Sequence, residues 1–263
     1  MDIKGKWVWI TGASSGIGKA LAIEYAKTGC KLLLSARNTE QLEAVKATCK
    51  GAEEIKILPL DLLKIDESIE KAKEVLATIG PIHTLINNAG ISQRALVKDT
   101  SLDVDRRIME INFFAVSALT KLVLPKMIEQ KEGQFIAMSS LVGKFGSPLR
   151  SAYSASKHAL HGYYEALRAE TYEDGIRVLI VCPGFIKTNI SINAVTGSGE
   201  KQNKMDDKQA NGMLPEVLAK KILRAVYKAK EEIVVGGSER YGVLVKRLFP
   251  GLFSKLIKRV KVT

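Results

Sequence analysis

The stretch KWVWITGASSGIGKALAIEYAKTG, residues 6–29, decides the fold. Its first six residues, KWVWIT (6–11), form a short apolar run of the length and type expected of a buried strand. Glycines at 12, 16 and 18 end the run. From Gly18 to Thr28 the pattern is helical, and Gly29 stops it. Strand, glycine turn and helix in this order suit a phosphate. Glycines allow a tight turn and close backbone approach, and the helix N-terminus offers unpaired N–H groups and a partial positive charge. Ser14 and Ser15 add hydroxyl donors. The spacing is G-x-x-x-G-x-G, not the G-x-G-x-x-G of the dinucleotide fingerprint. A plain glycine-rich turn is the competing reading; the strand and helix on either side favour the cofactor.

The same alternation continues outward. KLLLSA (31–36), EIKILPLD (54–61), IHTLINNAG (82–90), GQFIAMSS (133–140) and IRVLIVCPG (176–184) read as strands. Helical patterns lie between them at 38–50, 66–79, 104–129 and 151–172. Short apolar strands alternating with helices of ten or more residues predict an α/β fold with a doubly wound parallel sheet covered on both faces. A chain of 263 residues, 46% of them apolar, is long enough for one such core. No run approaches the roughly 18 consecutive apolar residues of a membrane span. MDIKGKWVWITG lacks the layout of a secretory signal. Cys30, Cys49 and Cys182 are odd in number and widely spaced, so neither a disulfide framework nor a metal motif is expected. A reducing, cytoplasmic setting is expected. Three scattered histidines, His83, His158 and His161, add no metal site.

The second strand ends at Ala36-Arg37-Asn38, with no acidic residue at its tip to accept a ribose hydroxyl. Arg37 can instead pair bidentately with a 2′-phosphate, which favours NADP(H) over NAD(H). An ordinary surface arginine is the alternative. Residues 189–214, NISINAVTGSGEKQNKMDDKQANGML, break the alternation just after a strand end, where open α/β sheets bind ligands. They read as a substrate lid or, failing that, as a disordered insertion.

SAYSASKHAL (151–160) places Tyr153 and Lys157 on one helix face, with Cβ atoms about 6 Å apart. A free phenol, with a pKa near ~10, is poorly matched to acid–base work at neutral pH. An ammonium at 4 Å in an effective dielectric of 20 attracts a phenolate by about 4 kcal/mol. The ceiling is therefore a fall of about three in the tyrosine pKa, which desolvation of both groups would reduce. A solvated surface pair is the bland alternative.

Taken together these segments resemble the short-chain dehydrogenase/reductase family, in its classical branch. TGASSGIG, Asp61 after the third strand, NNAG (87–90), Asn112, Ser140, YSASK (153–157) and PGFIKT (183–188) stand in the family's order across residues 5–237. The resemblance implies a single Rossmann-type domain with seven mostly parallel strands, here residues 1–237, and a homodimer or homotetramer built through the long helices. It implies a tetrad of Asn112, Ser140, Tyr153 and Lys157. Ser140 is preferred to Ser139 because it precedes Tyr153 by the family's usual thirteen residues. Gly12, Ser14, Ser15, Gly16, Ile17 and Gly18 would cradle the pyrophosphate. Asp61 would meet the adenine, Leu62 would also bind the cofactor, and Asn88, Ala89 and Gly90 would pass beside the cofactor ribose. Pro183, Gly184, Ile186 and Thr188 would line the nicotinamide end. The implied activity is hydride transfer between NADP(H) and a carbonyl or secondary alcohol. A nucleotide-binding protein without turnover is the runner-up.

Net charge is +12, and half of it lies in the tail from Glu239 onward, where seven basic residues face one acid. In GVLVKRLFPGLFSKLIKRVKVT (242–263), apolar pairs recur every four residues and alternate with basic pairs, interrupted at Pro250. Residues 238–263 thus form a basic amphipathic extension. It suits a membrane surface or packing on the domain or on a partner subunit; no nucleic-acid motif supports a third use. The lid and tail are similar to the 7B-like branch of dehydrogenase/reductases, which suggests an apolar or lipid-like ketone.

Overall fold

The computed structural model describes residues 2–260. Its strands are β1 Trp7–Thr11, β2 Lys31–Ser35, β3 Glu54–Ile57, β4 Ile82–Asn87, β5 Gly133–Met138, β6 Ile176–Pro183 and β7 Glu232–Val235. They pair in parallel in the order β3-β2-β1-β4-β5-β6-β7. Both sheet faces are covered, which explains why β1, β5 and all but one position of β6 are buried runs rather than alternating ones. On one face pack α1 Gly16–Ala26, α2 Thr39–Thr48 and α8 Pro215–Tyr227. On the other lie α3 Ile65–Ile79, α5 Ala115–Glu129 and α6 Ser151–Glu170. A single turn of helix, α7 Asp207–Ala210, lies between β6 and α8. The strand order reverses between β1 and β4, and a cleft opens there at the carboxyl ends of the strands.

Two elements differ from the sequence expectation. The helix expected at 104–129 is α4 Leu102–Met109 followed by a π turn, Glu110–Phe114, and then α5. Such a turn adds one residue per winding and commonly marks a functional site; here it carries Asn112. The combined helix is long and apolar enough to cross a membrane by composition, and less than half of its most apolar window is buried. Val116, Leu119, Val123 and Met127 nevertheless seat it in the core against the sheet. The second difference is the pair α8 and β7, to which no sequence pattern points directly.

The tail folds as α9 Tyr241–Leu248 and α10 Pro250–Ile257, broken at Pro250 as expected. Its last residues, Lys261 among them, lie outside the described residues.

Candidate active site

At the head of the cleft the glycines are dictated by close contact. Gly12 has φ +65° and Gly16 φ +52°, in the left-handed region. A Cβ on Gly12 would stand 2.9 Å from the Ala89 Cα, and one on Gly18 would stand 2.1 Å from the Gly12 carbonyl oxygen. Asn88 binds this turn to its own segment. Its Nδ2 donates to the Thr11 carbonyl at 2.9 Å, and its backbone N–H donates to Thr11 Oγ1 at 3.0 Å. Ser14, Ser15, Gly16 and Ile17 line the cleft at the start of α1, and no side chain caps that helix. Its N–H groups thus face the cleft, a fit for a phosphate. Gly18 does not line the cleft; it lies beneath the loop, where its missing Cβ lets α1 approach β1.

Farther along the rim, Arg37 is exposed at the tip of β2 and lines the cleft. Neighbouring Asn38 is used otherwise, accepting from the Gln41 N–H at 2.8 Å to cap α2. Asp61 and Leu62 line the same end, and Asp61 Oδ1 accepts the Leu63 N–H at 3.1 Å. Ala89, Gly90, Pro183, Gly184, Ile186 and Thr188 continue the lining toward the catalytic end. The whole cleft holds about 1130 Å³.

Tyr153 and Lys157 are both buried on α6, so they are not a solvated surface pair. Ser140 follows β5 and stands close enough to Tyr153 to favour its ionised form; its Oγ accepts the Val142 N–H at 3.3 Å and donates to the Pro183 carbonyl at 3.5 Å. Ser139 faces elsewhere, donating to the Lys157 carbonyl at 3.2 Å and meeting His161 Nε2 at 3.0 Å. Asn112 is fully buried. Its Oδ1 accepts the Ile91 N–H at 2.9 Å, and its Nδ2 donates to the Ile91 carbonyl and to Ser156 Oγ, each at 3.0 Å. A Cβ on Gly90 would stand 3.0 Å from Asn112 Oδ1 and 3.5 Å from Lys157 Nζ. Glycine there lets the loop after β4 close over both groups.

The electrostatics correct one expectation. Tyr153 has its pKa raised, not lowered, because burial outweighs every favourable contact. Ser140 opposes this first, followed by the charges of Arg150 and Arg94. Lys157 divides its contacts between a backbone carbonyl and the phenol ring. Its Nζ donates to the Met138 carbonyl at 2.7 Å and lies 5.8 Å from the centre of the Tyr153 ring. Burial pushes the Lys157 ammonium down to about 8. Below that pH the lysine is charged; above it the charge is lost. Ketone reduction, which needs a proton held at the site, is therefore expected to decline as pH rises through about 8. A pH profile of kcat for wild type and Lys157→Met checks this: the variant should lack that limb.

Arg94 and Arg150 are held by one carboxylate that the sequence does not single out. Asp206, in the segment 189–214, is buried and receives the Arg94 Nε at 2.9 Å and its Nη2 at a shorter distance. Arg150 Nη2 lies 3.6 Å from the same oxygen. The segment is folded over the cleft. Val195 pairs with Gln93 and Lys201, and the Gln209 side chain donates to the Ile186 carbonyl. Gln93 has a second task. Its Oε1 accepts the Ala152 N–H at 2.9 Å at the start of α6, where Arg150 provides no side-chain cap.

The tail completes the wall. Glu239 accepts from the N–H groups of Phe185 at 3.2 Å and Gly237 at 3.0 Å. It fills the space a Cβ on Gly184 would need, at 2.1 Å. Phe253 stacks at a tilt on Phe145, with centroids 5.0 Å apart. Val243, Phe253 and Ile257 pack on Leu141, Val142, Phe145 and Tyr153.

The sequence predicts no metal site, and one trio bears on that. His161, Cys182 and Glu232 have ligand atoms within 4.8 Å of one another. Glu232 is already paired with Lys144 at 2.6 Å, and burial pushes the Cys182 thiol up to about 12. As they stand, these groups pack β6 and β7 beside α6.

Known proteins share this sequence pattern and this fold. The family model for short chain dehydrogenase matches residues 6–198. The dehydrogenase/reductase SDR family member 7B of Mus musculus is 40% identical over 95% of this chain and 79% of its own. A short-chain dehydrogenase of Streptomyces avermitilis is 29% identical, covers 96% of each chain and superposes with a TM-score of 0.80. A metagenomic short-chain oxidoreductase in complex with NADP is 26% identical, with a TM-score of 0.73 over 89% of this chain and 98% of its own.

Proposed function

This chain belongs to the short-chain dehydrogenase family, and from that premise we propose that it is an NADP(H)-dependent carbonyl reductase, reversible as an alcohol dehydrogenase, for an apolar or lipid-like ketone. The observation that carries the reading is the convergence of Ser140, buried Tyr153 and buried Lys157 on one cleft headed by a glycine cradle. The NADP complex of the metagenomic relative supports the cofactor, and Arg37 supports the choice of NADP(H) over NAD(H).

When bound, the nicotinamide supplies or accepts the hydride. The residues of this chain do the rest. Tyr153, whose pKa is raised, is protonated at neutral pH and so is suited to donate to a carbonyl oxygen. Ser140 presents its hydroxyl to the same oxygen and stabilises the charge that develops there. Lys157, charged below about pH 8, would hold ribose hydroxyls and restore the tyrosine proton. Asn112 fixes Ile91 and Ser156 and would keep a water in the relay behind the lysine. In the oxidative direction the same tyrosine must lose its proton; Arg150 and Arg94 favour that form.

Segment 189–214 is the substrate lid, tied down by Asp206. Phe145, Phe253 and Leu256 give the substrate end an apolar wall, hence the greasy ketone. The less buried flank of the 102–129 helix offers the surface for a homodimer or homotetramer. Cys30, Cys49 and Cys182, all free and buried, suit a cytoplasmic setting.

A panel of ketones of increasing apolar length, offered with NADPH, tests the reading through loss of reduced nicotinamide absorbance. Turnover that improves with apolar length is expected. Tight NADPH binding with no ketone reduced would leave a nucleotide-binding protein without turnover.

A further inference from the structure

The tail has two faces, and only one is used by the domain. Val243, Phe253 and Ile257 turn inward onto the active-site wall. Leu244, Leu248, Phe249 and Leu252 turn outward and are 54%, 64%, 60% and 51% exposed. Along the chain they alternate with Arg240, Lys246, Arg247, Lys255, Lys258 and Arg259, and no acid follows Glu239. Large leucines and phenylalanines kept in water beside cations are the composition of a helix that lies in a membrane interface. The two short helices joined at Pro250 are fixed at both ends of this surface. Glu239 pins the start to the loop after β6, and Phe253 pins α10 to Phe145. The apolar face is thereby presented as a preformed patch.

Charge selects the occupant. A second copy docking tail to tail would set six cations against six cations, a like-charge contact that costs association. A bilayer with anionic headgroups satisfies both components at once, the leucines in the acyl boundary and the lysines and arginines at the phosphates. The position of the patch adds a consequence. Leu256 and Val260 are exposed and also line the cleft, so the cleft mouth opens on the same surface.

We propose that α9 and α10 dock the enzyme on an anionic lipid surface with the mouth of its cleft facing the bilayer. An apolar ketone could then pass from lipid into the site without crossing water; that last step rests on the carbonyl-reductase reading, whereas the docking does not.

The test is co-sedimentation of the full chain with vesicles of phosphatidylcholine alone and of phosphatidylcholine mixed with phosphatidylserine. Leu248→Glu/Leu252→Glu is the variant, because both positions are exposed and outside the site. Wild type should sediment with the mixed vesicles, bind the neutral ones about tenfold more weakly, and release in high salt. The variant should lose about tenfold or more of its vesicle affinity while its melting temperature and NADPH binding hold. Wild type that binds neither vesicle, or a variant that binds as well as wild type, overturns the proposal. So does a variant that only breaks a dimer in solution, with no vesicle binding by wild type, since the patch would then belong to a second copy. Vesicle binding is read without turnover, so its failure leaves the oxidoreductase assignment intact.

Discussion

Tyr153→Phe should lower kcat/KM for ketone reduction by about 10³-fold, with the NADPH dissociation constant changed by no more than about twofold. The phenol is the buried hydroxyl that meets Ser140 in the cleft and lies on the same helix as Lys157. Phenylalanine keeps the ring that packs on Leu141, Val142 and Phe145, so the wall should stay in place. The change therefore removes a proton donor and leaves shape alone. Steady-state kinetics with saturating NADPH, beside a fluorescence titration of the cofactor, separates the two effects. A variant that keeps more than about a tenth of wild-type kcat/KM would move the proton donor to another group.

Asp206→Ala should be the most destabilising single change near the site, costing about 3–5 kcal/mol. Arg94 and Arg150 are buried, and Asp206 is the carboxylate they share. Removing it leaves two like charges in a poorly hydrated place. Burial first, and then the charge of Arg94, already push the Arg150 guanidinium down to about 10. Thermal unfolding should show a melting temperature lowered by roughly 10 °C. A drop of less than about 1 kcal/mol would mean that water already screens the cluster. The same variant should also shift chemistry. Without the carboxylate the two arginines act more strongly on Tyr153, which favours its phenolate and so the oxidative direction, while the alkaline limit of reduction, set by Lys157, should stay near about 8.

Most of the sheet is legible in the sequence because its inner strands are buried on both faces. Runs such as KLLLS and IRVLIVCP carry that burial in their composition. The glycine turn is legible for a related reason, since Gly12 and Gly16 answer a local backbone need that no other residue meets cheaply. β7 is harder. Its EIVV is short and only half buried, and it follows the irregular stretch that hides α8 as well. Arg94, Arg150 and Asp206 come together from three separate segments, so no spacing in the sequence relates them. Gln93 and Glu239 escape a sequence reading because their partners are backbone N–H groups, which have no residue signature. The direction of the Tyr153 shift is misread for a physical reason. Spacing shows that a lysine is near, whereas the cost of burying the phenolate depends on everything packed around it.

The most direct test of the NADP(H)-dependent carbonyl-reductase account is the titration of pure protein with NADPH and with NADH, for wild type and for Arg37→Ala. Arg37 is exposed at the cleft rim and outside the core, so its loss should spare the fold. The account predicts that wild type prefers NADPH by at least about tenfold and that the variant binds the two cofactors nearly alike, as removal of a charged hydrogen bond to a phosphate requires. Equal binding by wild type, or a preference for NADH, would contradict it.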